Sequence, residues 1–448
     1  MPKKKTALTI EERLQQALVP AEEQPYEVPE NWVWVRLGAI AEIVTGGTPS
    51  KKHPEYYGGN FPFYKPSDLD QGRLTYDASE YLSEEGKNVS RIIPKNSTAV
   101  CCIGSIGKCG YLMCEGTTNQ QINSAIPKIN SLCLYYYLCT ENFVQDLLSM
   151  ASATTIAIVN KSKMESCAFP LPPLSEQQRI VERIEELLAK LDEAKERLQD
   201  VADSFAVRKA AILHNAFTGE LTKQWRRENG VSDESWEESN FGKFTVSQYG
   251  YTEKAHWEKV GPKFLRITDI QDNKVDWDEV PWCPIDEAGM KQYAVQIGDI
   301  MIARTGATTG KSYLICDDVE AVFASFLIRL KVVDKNLDYN YLYGYMQSED
   351  YWRQITDFSS GIAQPGVNAN KLKQIKFKCP SLPEQHEIVR LIDDLLARER
   401  AAQQAAEQAL ASIDLMKKSI LARAFRGELG TNKASEASAL ELLRQVLS

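Results

Sequence analysis

One segment of this sequence occurs twice, 208 residues apart and without a gap between the matched positions. A register held from residue 160 to 221 indicates a duplicated domain, because solenoid repeats have much shorter periods. The chain therefore presents two similar modules to its partner. The matched positions include Asn160 with Asn368, Glu176-Gln177 with Glu384-Gln385, and Phe217–Leu221 with Phe425–Leu429.

Each copy of the repeat carries apolar residues at alternating steps of four and three, interrupted in the first copy by Arg208. This spacing predicts two helices of roughly 40 residues, hence about 60 Å long, that pair as a coiled coil. The second copy has alanine in the middle where the first has leucine and valine, which favours an antiparallel intramolecular pair. A dimerisation element is the alternative. The predicted spacer residues are Ile180, Ile184, Leu187, Leu191, Leu198, Ile388, Ile392, Leu395, Ile413 and Ile420.

The segments before the two helices share a skeleton but differ at most positions. Phe63–Leu69 matches Phe264–Ile270, and both segments place Gly-Lys shortly before Tyr-Leu. Ala99–Ile103 reads as a buried strand, whereas Leu132–Met150 and Tyr341–Trp352 read as helices. The predicted fold class is α+β, with two globular α/β domains joined by two long helices that form an antiparallel coiled coil.

The predicted boundaries follow from the repeat and from the Pro-rich stretches before each helix. A capping box at Thr9 and Glu12 predicts a short helix in the N-terminal arm. The segments are an arm (1–25), a first globular domain (26–172), a spacer helix (173–217), a linker (218–239), a second globular domain (240–380), a second spacer helix (381–425) and a tail with a short helix (426–448).

Composition excludes several classes of protein. No apolar run is long enough for a membrane span, so we expect a cytoplasmic protein. The ten cysteines include no Cys-x-x-Cys pair, which argues against a metal site. Gly306–Ser312 resembles a phosphate loop but has three residues between its glycines where four are needed. No catalytic motif is present, and we expect no catalysis and no bound cofactor.

The net charge of −9 does not exclude nucleic acid, because phosphate contacts need only a local basic patch. Both variable segments mix cations with aromatic rings and amides, and amides can bond adenine with two hydrogen bonds. Surface loops with packed rings would explain any single cluster. The candidate DNA-contacting residues are Lys51, Lys52, Tyr64, Lys65, Ser105, Lys108, Asn119, Gln120, Gln121, Lys263, Arg266, Arg304, Thr308, Thr309 and Lys311.

These motifs together resemble one known family, the specificity (S) subunits of type I restriction–modification systems. The resemblance covers nearly the whole chain and depends most on the doubled Leu-x-Glu-Gln segment that follows each variable segment. Its other motifs are Val28–Trp32, Thr45–Pro49, Asn119–Gln121, Pro170–Gln177 and Ala216–Leu221.

The resemblance implies two target-recognition domains, each reading one half of a split sequence of double-stranded DNA. It implies that the paired helices set the gap between half-sites and dock two methyltransferase (M) subunits, and through them restriction (R) subunits. S-adenosylmethionine would bind to M, and ATP and Mg would bind to R. Two features depart from the family pattern: the long N-terminal arm, and Lys378-Cys379 where the first copy has Pro170-Leu171. A protein scaffold without catalysis is the alternative function.

Overall fold

The computed structural model describes residues 9–152, 157–271, 273–359 and 366–448, and it divides into two compact units. Unit 1 contains residues 1–198 and 408–448, and unit 2 contains residues 199–407. Residues 1–8 of the predicted arm lie outside the described residues. The division differs from a simple split of the chain, because the C-terminal segment belongs to unit 1.

The first part of the chain forms these elements: α1 (Ile10–Ala17), β1 (Val33–Arg36), α2 (Leu37–Ile40), β2 (Ala41–Thr45), β3 (Tyr57–Tyr64), β4 (Glu80–Leu82), α3 (Glu84–Asn88), β5 (Thr98–Cys101), β6 (Cys109–Tyr111), β7 (Thr117–Thr118), β8 (Ile122–Pro127), α4 (Ser131–Leu138), α5 (Glu141–Ser149), α6 (Lys161–Ser166), β9 (Ala168–Leu171) and α7 (Leu174–Asp203).

The remaining elements are α8 (Phe205–Thr218), α9 (Lys223–Glu228), β10 (Glu237–Asn240), α10 (Phe241–Phe244), β11 (Thr245–Tyr249), β12 (Lys263–Leu265), β13 (Ile270–Gln271), β14 (Lys274–Val275), α11 (Glu287–Tyr293), β15 (Ile300–Ala303), β16 (Ser312–Leu314), β17 (Ala321–Phe323), β18 (Leu327–Val332), α12 (Tyr339–Tyr345), α13 (Glu349–Ser359), α14 (Ala369–Lys373), β19 (Lys376–Cys379), α15 (Leu382–Ala424) and α16 (Ala439–Leu447).

The two units share the main parts of their sheet topology, as the duplication predicts. A four-stranded antiparallel sheet has the order β2-β8-β5-β6 in unit 1 and β11-β18-β15-β16 in unit 2. Each unit also has a parallel pair, β3 with β7 or β12 with β17; in unit 1 it belongs to the three-stranded sheet β4-β3-β7, whereas unit 2 has the separate antiparallel pair β13–β14. An antiparallel pair of strands, β1 with β9 or β10 with β19, joins the start of each domain to its end. The predicted α+β class is confirmed.

The two long helices lie close to their predicted bounds. The first is divided at Ser204 into α7 and α8, whereas α15 is one helix of 43 residues, about 65 Å long. Each unit contains an antiparallel pair of segments from these helices. Asp192 accepts from Lys417 at 2.5 Å in unit 1. In unit 2, Arg208, the charged interruption of the apolar pattern in the first copy, pairs with Glu399 at 2.5 Å.

Both helices predicted to end the variable segments are divided in two. Thr140 separates α4 from α5, and its hydroxyl accepts from the backbone N–H of Phe143 at 3.3 Å. Ser348 lies between α12 and α13 and accepts from the N–H of Tyr351 at 3.4 Å. A side-chain hydroxyl that caps a new helix competes with continuation of the preceding helix. The single-helix predictions for these two segments were therefore wrong.

The doubled Glu-Gln pair joins three parts of each unit. The Gln177 side chain accepts from the N–H of Asn130 at 3.0 Å and donates to the carbonyl of Pro172 at 2.9 Å. The Gln385 side chain accepts from the N–H of Asp338 at 2.8 Å and donates to the carbonyl of Pro380 at 2.8 Å. Each glutamine thus fixes the start of a spacer helix against the helical part of its own recognition domain.

The neighbouring glutamates are fully buried and close each unit around a different set of donors. Glu176 accepts from Trp32 Nε1 at 2.7 Å, Asn432 Nδ2 at 2.9 Å and Thr431 Oγ1 at 3.2 Å. The segment that follows α15 therefore completes unit 1. We call each buried glutamate with its donors a closure site.

In unit 2 the closure site includes a cation. One oxygen of Glu384, Oε1, accepts from Thr222 Oγ1 at 2.7 Å, Arg226 Nη1 at 2.8 Å and Trp236 Nε1 at 3.0 Å. The side chain of Arg226 is 6% exposed and also donates to Asp233 at 2.9 Å. The segment that follows α8 thus completes unit 2, as the segment after α15 completes unit 1.

The N-terminal arm covers the outer face of the β1–β9 strand pair. Leu18 bridges to Val35, and the N–H of Val19 donates to the carbonyl of Trp34 at 3.0 Å. Beneath the arm, Trp34 and Ala168 are buried. α1 also packs on α16, where Arg13 donates to the carbonyl of Leu447 at 2.9 Å.

The corresponding strand pair of unit 2, β10 with β19, has no such cover among the described residues. Glu238, Lys376 and Lys378 occupy the positions of Trp34, Ala168 and Pro170, and all three are exposed. An apolar position is stable there only when another segment buries it. This difference accounts for both departures from the family pattern, the long arm and Lys378-Cys379.

Candidate nucleic-acid interface

Four loops of unit 1 meet at one end of its four-stranded sheet. They follow β2, β3 and β5 and precede β8, and backbone hydrogen bonds join them. The N–H of Gly47 donates to the carbonyl of Thr118 at 2.8 Å, and the N–H of Asn119 donates to the carbonyl of Tyr64 at 3.1 Å. We call this surface loop end 1, formed by residues 46–53, 65–70, 102–108 and 119–121.

The equivalent loops of unit 2 form loop end 2, residues 250–257, 266–271, 304–311 and 324–326. The N–H of Tyr251 donates to the carbonyl of Phe323 at 2.8 Å, and the N–H of Ala324 donates to the carbonyl of Leu265 at 2.9 Å. The two surfaces thus have one backbone plan. The pairs β5–β6 and β15–β16 show that Gly104–Lys108 and Gly306–Lys311 are turns between antiparallel strands.

Most of the predicted contact residues lie on these two surfaces. Lys51, Lys52, Ser105, Gln120 and Thr308 are exposed. The half-buried members are Lys65, Lys108, Gln121, Arg266, Arg304 and Lys311.

The half-buried cations already have partners within their own units. Lys65 pairs with Glu80 of β4 at 2.9 Å, and Lys108 pairs with Asp70 at 2.6 Å. Lys311 Nζ donates to the carbonyl of Ile270 at 3.3 Å. These contacts fix the positions of the cations. The exposed Lys51 and Lys52 make no ion pair within the described residues.

Four predicted residues lie elsewhere or inside their domain. Tyr64 is fully buried, because β3 lies between β4 and β7 and carries its ring into the core. Asn119 and Thr309 are 8% exposed, and Thr309 Oγ1 donates to the carbonyl of Gly306 at 2.7 Å. Lys263 begins β12, at the opposite end from Arg266, and donates to the carbonyl of Val280 at 2.8 Å. The role of these four residues in binding DNA stays a prediction.

A pair of aspartates that the sequence argument missed supports the loop after the parallel strand. Asp68 is buried and accepts from the N–H of Lys65 at 2.7 Å and from the N–H of Ser79 at 3.0 Å. Asp269 accepts from the N–H of Arg266 at 2.8 Å and from its guanidinium at 2.6 Å. Two donors on one carboxylate hold the guanidinium plane in a fixed direction. The matched spacing Lys65-x-x-Asp68 and Arg266-x-x-Asp269 was the available signal.

Amides dominate loop end 1. Gln121 accepts from Asn119 Nδ2 at 3.0 Å through its side-chain oxygen. The side-chain oxygen of Gln120 accepts from Thr48 Oγ1. These bonds use the oxygens and fix the amide planes. The NH2 groups of these amides can donate hydrogen bonds to acceptors on base edges.

Exposed aromatic rings, and not amides, surround loop end 2. Phe326 is 59% exposed, and Tyr249 and Trp257 are also exposed. The guanidinium of Arg304 lies 4.9 Å from the ring centre of Tyr249, and that of Arg266 lies 5.6 Å from Trp257. Cations held over rings in this way are pre-oriented. The two loop ends therefore differ in chemistry although they share one backbone plan.

The spacer residues pack partly on the recognition domains and partly on each other. Ile180, Ile184, Ile388, Ile392 and Ile413 are buried. The others, Leu187, Leu191, Leu198, Leu395 and Ile420, are half-buried. A groove of about 350 Å³ in unit 1 is lined by Leu187, Leu191, Met416 and Ile420 among others. The predicted role of these residues in docking M stays a prediction.

The thiols have the character of core residues. Cys101, Cys102 and Cys133 are buried free thiols. Burial raises the pKa of Cys102 to about 12, so this thiol is protonated at neutral pH. Within the residues that the structure describes, no helix has the length and apolar character that crossing a bilayer requires.

Two α+β units with one topology, each presenting a variable loop end and each attached to a long spacer helix, define a two-module recognition protein. The family model for the type I restriction modification DNA specificity domain matches this chain twice, at residues 29–202 and 234–409. The chain therefore belongs to that family, and the resemblance stated from the sequence is confirmed.

The similar proteins match this chain over most of its length and over most of their own. The specificity subunit of the type I restriction enzyme EcoBI of Escherichia coli is 27% identical over 430 residues, which cover 90% of this chain and 87% of that protein. The EcoKI specificity subunit of Escherichia coli strain K12 is 24% identical over 421 residues, 90% of each chain. The crystal structure of the HsdS subunit from Thermoanaerobacter tengcongensis has the same fold, with a TM-score of 0.67 at 18% identity over 91% of this chain and 99% of that one.

Proposed function

We propose that this protein is the sequence-recognition subunit of a type I restriction–modification complex, and that each unit reads one half of a bipartite DNA target. One observation carries the proposal: two units with the same four-stranded sheet and the same parallel pair present chemically different loop ends from one backbone plan. Direct readout needs side chains of different hydrogen-bonding character at one fixed position. The two units keep the backbone at these positions the same and differ in their side chains, as the reading of two different half-sites requires.

The residues that touch DNA belong to this proposal. Lys51, Lys52 and Lys311 would contact phosphate, whereas Gln120, Gln121 and Thr308 would face base edges. Four further cations would contact DNA from positions that their partners in the same unit fix: Lys65, Lys108, Arg266 and Arg304. Ser105 lies beside Lys108 on the same exposed turn.

The partners and cofactors follow from the same proposal. The spacer helices would dock two methyltransferase subunits, and restriction subunits would join through these. This chain would bind no cofactor of its own. S-adenosylmethionine would be held by the methyltransferase subunits, and ATP and Mg by the restriction subunits. The complex would act in the cytoplasm, where the DNA is.

Methylome sequencing of cells that express this chain with the methyltransferase subunit encoded beside it tests the proposal. We expect methyladenine in one split motif. Exchange of residues 26–172 for those of a relative should alter one half of the motif, and exchange of residues 240–380 should alter the other. If an assembled complex left no new methylation, or if one exchange altered both halves, a protein scaffold would be the better description.

A further inference from the structure

Phe326 occupies a position of loop end 2 for which unit 1 provides a direct counterpart. β8 begins at Ile122, which pairs with Cys101 at the end of β5. β18 begins at Leu327, which pairs with Ala303 at the end of β15. The residues just before these strands, Gln121 and Phe326, are therefore equivalent. An amide in one unit corresponds to an aromatic ring in the other.

The backbone around Phe326 is fixed on both sides. Its carbonyl accepts from the N–H of Arg304 at 3.1 Å, and the N–H of Ser325 donates to the carbonyl of Tyr251 at 2.9 Å. The N–H of Leu327 donates to the carbonyl of Ala324 at 2.9 Å, which closes a tight turn. The ring is thus 59% exposed on a turn that the sheet and the neighbouring loop both hold. An exposed ring on a fixed turn of loop end 2 is placed to contact the same ligand as the neighbouring candidate residues.

The surroundings favour DNA over protein as what the ring contacts. Arg304 holds the Phe326 carbonyl and lies over the Tyr249 ring, and its Nε atom is buried with no hydrogen-bond partner in the described residues. Lys311 and the exposed Thr308 belong to the adjoining turn. A protein-docking patch would present a broader apolar area, whereas this ring stands among cations and hydroxyls.

We propose that Phe326 reads the C5-methyl group of a thymine in the half-site bound by unit 2. The methyl group of thymine is the apolar feature of the major groove, and a phenylalanine ring can cover it without a hydrogen bond. Gln121, at the equivalent position of unit 1, has a polar amide, which gains nothing from contact with a methyl group. The inference rests on the proposed function and adds one chemical requirement to it, a thymine in the second half-site and in contact with this ring.

The test replaces each thymine of the second half-site in turn by deoxyuridine, which removes only the methyl group. Binding of the duplexes to the assembled complex with its methyltransferase subunits is measured at one fixed salt concentration. We expect one substitution to weaken binding of the wild-type complex about fourfold, as the loss of one buried methyl group predicts. In the complex with Phe326→Ala, the same substitution should have no effect.

Two controls isolate the contact. Val333→Ala removes an exposed apolar side chain at the other end of β18 and should leave the thymine-to-uracil ratio unchanged. Phe326→Leu keeps an apolar side chain and should keep part of the ratio.

Several results would overturn the inference. They are a second half-site that has no thymine, an equal response of every position to uracil, and a ratio that persists in Phe326→Ala. A loss of methyltransferase binding at an unchanged ratio would make the ring a protein contact. None of these results affects the domain-exchange experiment, which tests the proposed function separately.

Discussion

Replacing the buried glutamates of the two closure sites should have unequal costs. Glu384→Gln removes the negative charge that faces Arg226, whose side chain is 6% exposed. Loss of one member of a buried ion pair typically costs 3–5 kcal/mol. Arg226 keeps Asp233, which is 66% exposed and compensates only in part. We therefore expect a cost of about 3 kcal/mol at the lower end of that range.

Glu176→Gln provides the matched comparison. The donors to Glu176 are the neutral groups of Trp32, Thr431 and Asn432. Trp32 and Asn432 donate to one oxygen of Glu176, and Thr431 donates to the other. The amide oxygen of glutamine can accept from Trp32 and Asn432, and its NH2 group can donate to the Thr431 hydroxyl, so only the charge assistance is lost, at a cost of about 1 kcal/mol. The difference of about 2 kcal/mol corresponds to a roughly 30-fold difference in the equilibrium for local opening.

Native-state hydrogen exchange measures this opening separately in each unit. Glu384→Gln should speed exchange of the amides in residues 222–236 and spare residues 431–439, and Glu176→Gln should do the reverse more weakly. Glu182→Gln removes the same charge from the exposed face of α7 and serves as the control. If both closure variants opened their sites to the same extent, or neither exceeded the control, the assigned role of the Arg226 ion pair would be wrong.

Two further predictions concern charge. The double substitution Lys51→Ala/Lys52→Ala should reduce the slope of log binding constant against log salt by about 2, because each lost phosphate contact removes about 0.9. In a salt titration of the complex, Lys190→Ala on α7 should leave the slope unchanged. The hydrogen bond from Arg179 holds the pKa of Glu436 below its ordinary 4.5. Because the folded pKa is the lower one, the pair stabilises the C-terminal segment at neutral pH, and this stabilisation is lost as the pH falls through that value. Exchange near residue 436 should show this loss in the wild type and not in Glu436→Gln.

The frame of the fold could be predicted because periodicity and duplication are local signals. The predicted bounds of the second spacer helix, 381–425, lie within one residue of those of α15. The apolar pattern also marked Arg208 as an exception, although it could not show that Arg208 pairs with Glu399. The role of the Glu-Gln pair was beyond sequence reasoning, because Glu176 meets Trp32 and Thr431 across 144 and 255 positions.

The sequence could predict which loops form the candidate interface, but it could not predict which of their side chains are accessible. Gly-rich turns between buried strands correctly indicated the loops. Tyr64 resembled a surface ring because Lys65 follows it, yet the parallel pairing with β7 buries it. Phe326 resembled a core residue because apolar residues surround it in the sequence, yet it precedes β18 on an exposed turn. Accessibility depends on strand pairing, which no local pattern specifies.

The closure sites also imply that the two units are not equivalent along the chain. Every donor to Glu384 lies within the continuous stretch of residues 199–407. Glu176, by contrast, needs Thr431 and Asn432, which follow the second spacer helix. Unit 2 can therefore close before residues 408–448 are in place, whereas unit 1 cannot. The spacer helices supply both glutamates, so exchange of residues 26–172 preserves closure of unit 1 only if the incoming domain retains a tryptophan at position 32. Exchange of residues 240–380 leaves Trp236 in place, because it lies in the linker.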